Sequence, residues 1–154
     1  TPEYELIATL SPDGRWLAYQ SDESGRPEIY VRPFPAVDTG RWQISTAGGT
    51  RHRWSRDGRE LFYIVEGAPL MVMGVSVKTG PSFTASTPAK IVEGNYVAPT
   101  GPRLTYDVSL DGKRFLMIKN VETPAKEGAE AARPQIVIVQ NWQEELKRLV
   151  PHGN

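Results

Sequence analysis

Short apolar runs recur along the whole chain, each closed by a polar or turn-forming stretch. They are Leu6–Leu10, Trp16–Tyr19, Glu28–Val31, Trp42–Ser45, His52–Trp54, Leu61–Val65, Leu70–Met73, Lys90–Val92, Thr105–Val108, Phe115–Ile118 and Gln135–Val139. Runs this short, rich in β-branched and aromatic residues and bounded by Gly, Pro, Asp and Ser, predict strands. The end of the chain has a different period. Trp142, Leu146, Leu149 and Val150 recur at helical spacing, and Glu144 and Arg148 stand one turn apart. With Asn141 as N-cap and Pro151 and Gly153 as a stop, this predicts a short helix over 142–150 packed on the last strands.

The strands fall into a repeat. Ser11-Pro12-Asp13-Gly14-Arg15 returns as Ser55-Arg56-Asp57-Gly58-Arg59 and as Ser109-Leu110-Asp111-Gly112-Lys113, at spacings of 44 and 54 residues. Asp-Gly is a strong hairpin signal, because Gly takes a positive φ without steric cost. Ser and Asp side chains fix such turns by bonding nearby backbone amides. These aspartates therefore read as turn residues and not as catalytic acids. One run precedes each turn and two follow it, and the first two units add a further short run. Four strands per unit at this period is a β-propeller blade. The expected fold is all-β: a single partial propeller domain over 1–154, with blades at about 5–46, 50–93 and 104–140. The third blade lacks its outermost strand.

The first unit, Ser11-Pro12-Asp13-Gly14-Arg15-Trp16-Leu17-Ala18-Tyr19-Gln20-Ser21-Asp22 followed by Glu28-Ile29-Tyr30-Val31, closely resembles the TolB-like propeller repeat. The second unit keeps Trp54-Ser55 and Asp57-Gly58-Arg59 but has Arg56 where the family has Pro, and the third has Leu110 there. The ending from Asn141-Trp142 to Leu149-Val150 is similar to that of TolB-like propellers fused behind bacterial serine/threonine kinase domains. The resemblance implies a binding or interaction module, an extracytoplasmic or periplasmic setting and a bacterial signalling or envelope parent. It does not identify a partner, since function sits in loops grafted on the scaffold.

Propellers close with about four to eight blades. Three blades leave two open sheet faces, which are expected to be apolar and to associate. The expected solution is a homodimer, two chains closing a six-bladed ring through their open faces, with further blades in a longer natural chain as the alternative. The chain starts at Thr1 without an initiator Met, which predicts a piece of something longer.

Charge and composition narrow the function. Eighteen basic and 18 acidic residues give no net charge, which disfavours nucleic acid and purely electrostatic membrane binding. No apolar run approaches the roughly 20 residues of a membrane-spanning helix. The absence of cysteine removes disulfides, thiolate–zinc sites and a thiol nucleophile. No cofactor or metal is expected. Asp22, Glu23 and Glu28 could offer oxygens to calcium, but their spacing fits no EF-hand and a solvated loop is the simpler reading. The long polar stretch 120–134 predicts a mobile loop.

In a propeller the outer-to-inner and second-to-third strand connections share one rim. Arg51, His52, Arg53, Tyr96, Arg103, Tyr106 and Asp107 are expected near that rim or the channel. Convergent arginines there could hold a carboxylate or phosphate of a protein, peptide or small ligand. Alternatively, Arg51 and Arg53 line a wet channel and pair with acids such as Asp107. An enzyme of the propeller hydrolase or lactonase kind would need a metal or converging acids and histidines, and His52 is the one histidine outside the tail. A purely structural, ring-completing domain is the third alternative.

Overall fold

The computed structural model describes residues 5–98, 104–119 and 135–140. Three antiparallel sheets follow one another along the chain. The first contains β1 (Glu5–Leu10), β2 (Trp16–Ser21), β3 (Glu28–Pro33) and β4 (Trp42–Gln43), in that order across the sheet. The second contains β5 (Thr50–Trp54), β6 (Glu60–Val65), β7 (Leu70–Thr79), β8 (Phe83–Ala85) and β9 (Ala89–Gly94). Here β8 and β9 share one edge of β7, β8 pairing with its C-terminal end and β9 with its N-terminal half. The fourth strand position is thus filled in two pieces. The third sheet contains β10 (Tyr106–Val108), β11 (Arg114–Lys119) and β12 (Gln135–Gln140). It has three strands among the described residues, as the repeat predicted. The helix expected over 142–150 and the loop 120–134 lie outside the described residues.

The three repeated turns are built alike, atom for atom. In each, the serine hydroxyl meets the aspartate Oδ1: Ser11 with Asp13 at 2.5 Å, Ser55 with Asp57 at 2.7 Å and Ser109 with Asp111 at 2.5 Å. The same Oδ1 accepts the amide N–H of Arg15, Arg59 or Lys113. Each serine Oγ accepts the N–H of the residue five further on, at 2.9–3.0 Å. Gly14, Gly58 and Gly112 take φ of 69°, 70° and 69°. A side chain there would be strained, which explains the invariant Asp-Gly within this chain. The Ser55 hydroxyl and the Arg59 amide hold the Asp57 carboxyl below its ordinary pKa.

Alternation along the strands makes the sheets stack face to face. Leu61 and Tyr63 of β6 join Trp16, Ala18, Ile29 and Val31 of the first sheet in one core, which Val75, Val77 and Phe83 complete. Their neighbours Phe62 and Ile64 point the other way and join Tyr106, Phe115 and Met117 of the third sheet. The middle sheet is therefore apolar on both faces, the signature of a blade between two blades.

The outward face of the first sheet differs from the expectation of an open apolar sheet. On the first sheet Tyr19 and Tyr30 stack 5.6 Å apart, and both are buried. The Arg32 guanidinium lies 5.5 Å over Tyr19 and that of Arg41 lies 5.4 Å over Tyr30. Arg32 also donates to the Tyr19 hydroxyl, and Arg41 pairs with Glu23. Long basic side chains roof this face, their stems covering aromatic surface while their charges stay wet. On the outward face of the third sheet Leu116 is 42% and Ile136 74% exposed, and among the described residues no such roof covers them.

Candidate functional site

The inner strands position the candidate residues through a shared distortion. Four residues before each of the first two motif serines, the strand bulges. The register slips between Leu6 and Ala8 in β1 and between Thr50 and Arg53 in β5. At those slips Ile7 and Arg51 adopt φ of 54° and 51°, the left-handed region that non-glycine residues avoid. Such a conformation persists where the surroundings over-determine it. At Arg51 they do. Its N–H donates to Gln20 Oε1 of the first sheet at 3.3 Å, and its carbonyl accepts from the Tyr106 hydroxyl of the third sheet at 2.7 Å. One strained residue is thereby clamped from both neighbouring blades.

The side chains then divide. Arg51 pairs with Glu66 in the β6–β7 connection, and Thr50 Oγ1 reaches the same carboxylate at 3.1 Å. Arg53 pairs with Asp107 at 2.8 Å. Thr9, Arg53 and Asp107 each stand two residues before a motif serine. The Arg53–Asp107 pair therefore joins equivalent inner-strand positions of adjacent blades. His52 and Tyr106 are likewise equivalent to each other, three residues before the serine, and both turn between the blades instead of toward solvent. Tyr106 is 4% exposed, and burial pushes its hydroxyl well above the ordinary tyrosine pKa, so it stays a hydrogen-bond donor. His52 is 1% exposed, and burial pushes its pKa down to about 4. Its ring approaches the Ala18 carbonyl, yet neither nitrogen makes a hydrogen bond of good geometry. Tyr96 packs against the core of the second and third sheets and bridges to Lys119. Arg103 lies outside the described residues.

The site thus brings together Arg51, Tyr106, Arg53 and Asp107, with His52 buried behind them and Tyr96 packed into the core. Sequence reasoning did not find Gln20 and Glu66. The partner of a buried amide on another blade leaves no periodic trace. Glu66 carries a weak signal as an acid directly after the apolar run of β6.

Glu28, a calcium candidate by composition, has a different use. Its carboxylate is fully buried and accepts from the Ser45 hydroxyl, the Gly48 N–H at 3.0 Å and Arg26 Nε at 2.7 Å. It ties the loop before β3 to the loop before β5. A Cβ on Gly49 would stand 2.4 Å from Ser45 Oγ, so only glycine fits beside this knot. Glu23 is taken by Arg41, and among the described residues no three His, Cys, Asp or Glu side chains come together as a metal site.

Sheets stacked radially through such corners and clamps define a β-propeller, present here as three blades. The propeller is of the TolB-like type in its fold. TolB from Acinetobacter baumannii matches 92% of this chain with a TM-score of 0.61 at 16% identity, over 30% of its own length. A putative TolB from Agrobacterium tumefaciens matches 92% with a TM-score of 0.58 at 14% identity, over 47% of its length. The acylaminoacyl peptidase of Pyrococcus horikoshii matches 91% with a TM-score of 0.61 at 15% identity, over 23% of its length. At these identities the likeness is one of fold, and the chain spans less than half of each of these proteins. No protein-family model matches the chain, and no curated protein sequence does.

Proposed function

We propose that the chain is a non-catalytic binding module, a set of propeller blades whose rim receives a protein or peptide partner. The observation that supports this most is how the polar groups of the inner strands are used. The buried histidine has no carboxylate on its ring and is neutral near pH 7, while Arg51 and Arg53 are matched by Glu66 and Asp107. Arg53–Asp107 braces two blades and Arg51–Glu66 holds the inner strand within the second, which suits a rigid presenting surface better than proton transfer. The likeness in fold to TolB supports the same reading, together with an extracytoplasmic setting. The exposed Leu116 and Ile136 on the outward face of the third sheet support association through that face, with a second copy or with further blades.

The test is a selection of displayed peptides against the purified chain. The expected outcome is that rim-binding peptides lose at least a hundredfold in affinity to the Arg51→Gln, Arg103→Gln double variant, the cost of two charge-assisted contacts at about 1.5 kcal/mol each. Peptides that bind variant and parent equally would remove the rim from consideration. Metal analysis provides the opposing check, since a stoichiometric bound divalent ion would favour the hydrolase alternative.

A further inference from the structure

Two of the three blades carry outer strands: β4 on β3 in the first, and β8 and β9 on β7 in the second. In the third, β12 has no strand on its outer side among the described residues. The backbone groups along that edge follow from the pairing. The Ser109 N–H bonds to the Arg114 carbonyl, so the backbone of Arg114 faces β10. Alternation then turns Phe115 and Met117 toward their partners Val139 and Val137 on β12. The N–H and C=O groups of Ile136, Ile138 and Gln140 are left pointing away from the sheet. Such a row of backbone groups is a template for an added strand.

A cleft of about 950 Å³ opens between the second blade and the Asp111 corner of the third. Arg114, three residues after Asp111, pairs with Gln140, so β12 ends on the side where this cleft lies. Glu60, Ser76, Lys78, Thr84 and Ser86 of the second blade line it. The repeat shows what such a place holds. Trp16 and Glu60 both stand five residues after a motif serine. Trp16 meets the ring of Phe83, on an outer strand of the following blade, at 5.2 Å. The blade that follows Glu60 is the third, so the residue at the position of Phe83 would come from a strand added to β12. That residue meets a carboxylate in place of an indole. Asp57 and Asp111 have Arg59 and Arg114 at 3.9 Å, whereas among the described residues no base pairs with Glu60. Glu60 is half-buried, and burial together with the charge of Asp57 holds its pKa above the ordinary value. A cation brought to this position would be favoured by both carboxylates.

We propose that an extended segment of a partner protein adds to β12 as the fourth strand of the third blade and delivers a lysine or arginine to Glu60. Its backbone pairs with Ile136, Ile138 and Gln140, and its basic side chain takes the place that Phe83 takes one interface earlier. Since β8 precedes β9 along β7, the basic residue comes first and a run of β-branched residues follows. This edge is separate from the rim of the proposed function, and either stands without the other.

The test is a titration of the isotopically labelled full chain with N-acetyl-Lys-Thr-Val-Thr-Val-Thr-amide, followed by NMR amide shifts and hydrogen exchange. Saturable binding is expected, with a Kd on the order of 1 mM for so short a peptide. The amides of Ile136, Ile138 and Gln140 should gain exchange protection, while those of Val137 and Val139, already bonded to β11, should change little. Norleucine in place of the peptide lysine, or Glu60→Gln in the chain, should each weaken binding about tenfold, and the two together no further. Binding that fails to saturate, that ignores both changes, or that shifts the Arg51–Glu66 rim in place of β12 overturns the proposal. So does full protection of the three amides before peptide is added, which would mean that another part of this chain already fills the edge.

Discussion

Phe62→Ala is expected to lower the unfolding free energy by about 4 kcal/mol, the usual cost of emptying a fully buried aromatic site. Phe62 is fully buried, and its ring meets that of Phe115 edge-on at 5.1 Å with an interplanar angle of 87°. It is the largest side chain reaching from the second sheet into the third. Polar contacts from Tyr106 to the Arg51 carbonyl and from Asp107 to Arg53 also tie the third sheet to the second, and Phe62 anchors the apolar part of that interface. The loss should therefore be uneven. Urea unfolding gives the total, and amide exchange should show β10 and β11 losing protection before β1–β3. A cost below about 1.5 kcal/mol, or an even loss across all three sheets, would mean that Phe62 does not join two blades.

Acid should destabilise the protein through His52. In the fold its pKa is about 4 and in the unfolded chain 6.5, because burial disfavours the charged ring. Above pH 6.5 the ring is neutral in both states and this contribution is complete. As the pH falls from 6.5 to about 4, only the unfolded chain takes up the proton. Stability should then drop by about 1.4 kcal/mol per pH unit, for a total of roughly 3 kcal/mol. No carboxylate on the ring offsets this. Urea midpoints measured at half-unit pH steps test it against His52→Leu, whose curve should be flatter over that window. Parallel curves would show that the ring is solvated or paired in the fold.

The reasons some features were legible in the sequence, and others were not, are physical. The corners were legible because Ser, Asp and Gly each supply a distinct local part, two side-chain hydrogen bonds and one positive φ, within five residues. The strand after the second corner was legible because burial on both faces leaves the run Leu61–Val65 with no polar interruption. The full length of β7 was not. Gly74 breaks its pattern, yet glycine is needed there because a Cβ would stand 2.4 Å from Ile91 Cδ1. β8 escaped notice because three residues with one buried side chain, Phe83, show no period. The roof of Arg32 and Arg41 over two tyrosines was also hidden, since a basic residue beside an apolar run reads as solvated.

The candidate site was legible by topology alone. Placing Arg51, Arg53, Tyr106 and Asp107 on inner strands follows from the repeat, and the Arg53–Asp107 pair was among the alternatives. That His52 turns between blades follows from the bulge at Arg51, which sets the facing of the residues after it. Nothing in the residues Ile7 or Arg51 signals a left-handed backbone. At Arg51 the clamps that hold it come from other blades, so the cause is tertiary and far away in sequence.

The central claim is that β6 carries its neighbouring side chains into two different interfaces between radially stacked sheets. A NOESY spectrum of the full chain measures this directly. The account predicts ring cross-peaks from Phe62 to Phe115 and from Trp16 to Phe83, whose centroids lie 5.1 and 5.2 Å apart, and none from Phe62 to Trp16. Cross-peaks joining Phe62 to Trp16, with none to Phe115, would contradict it.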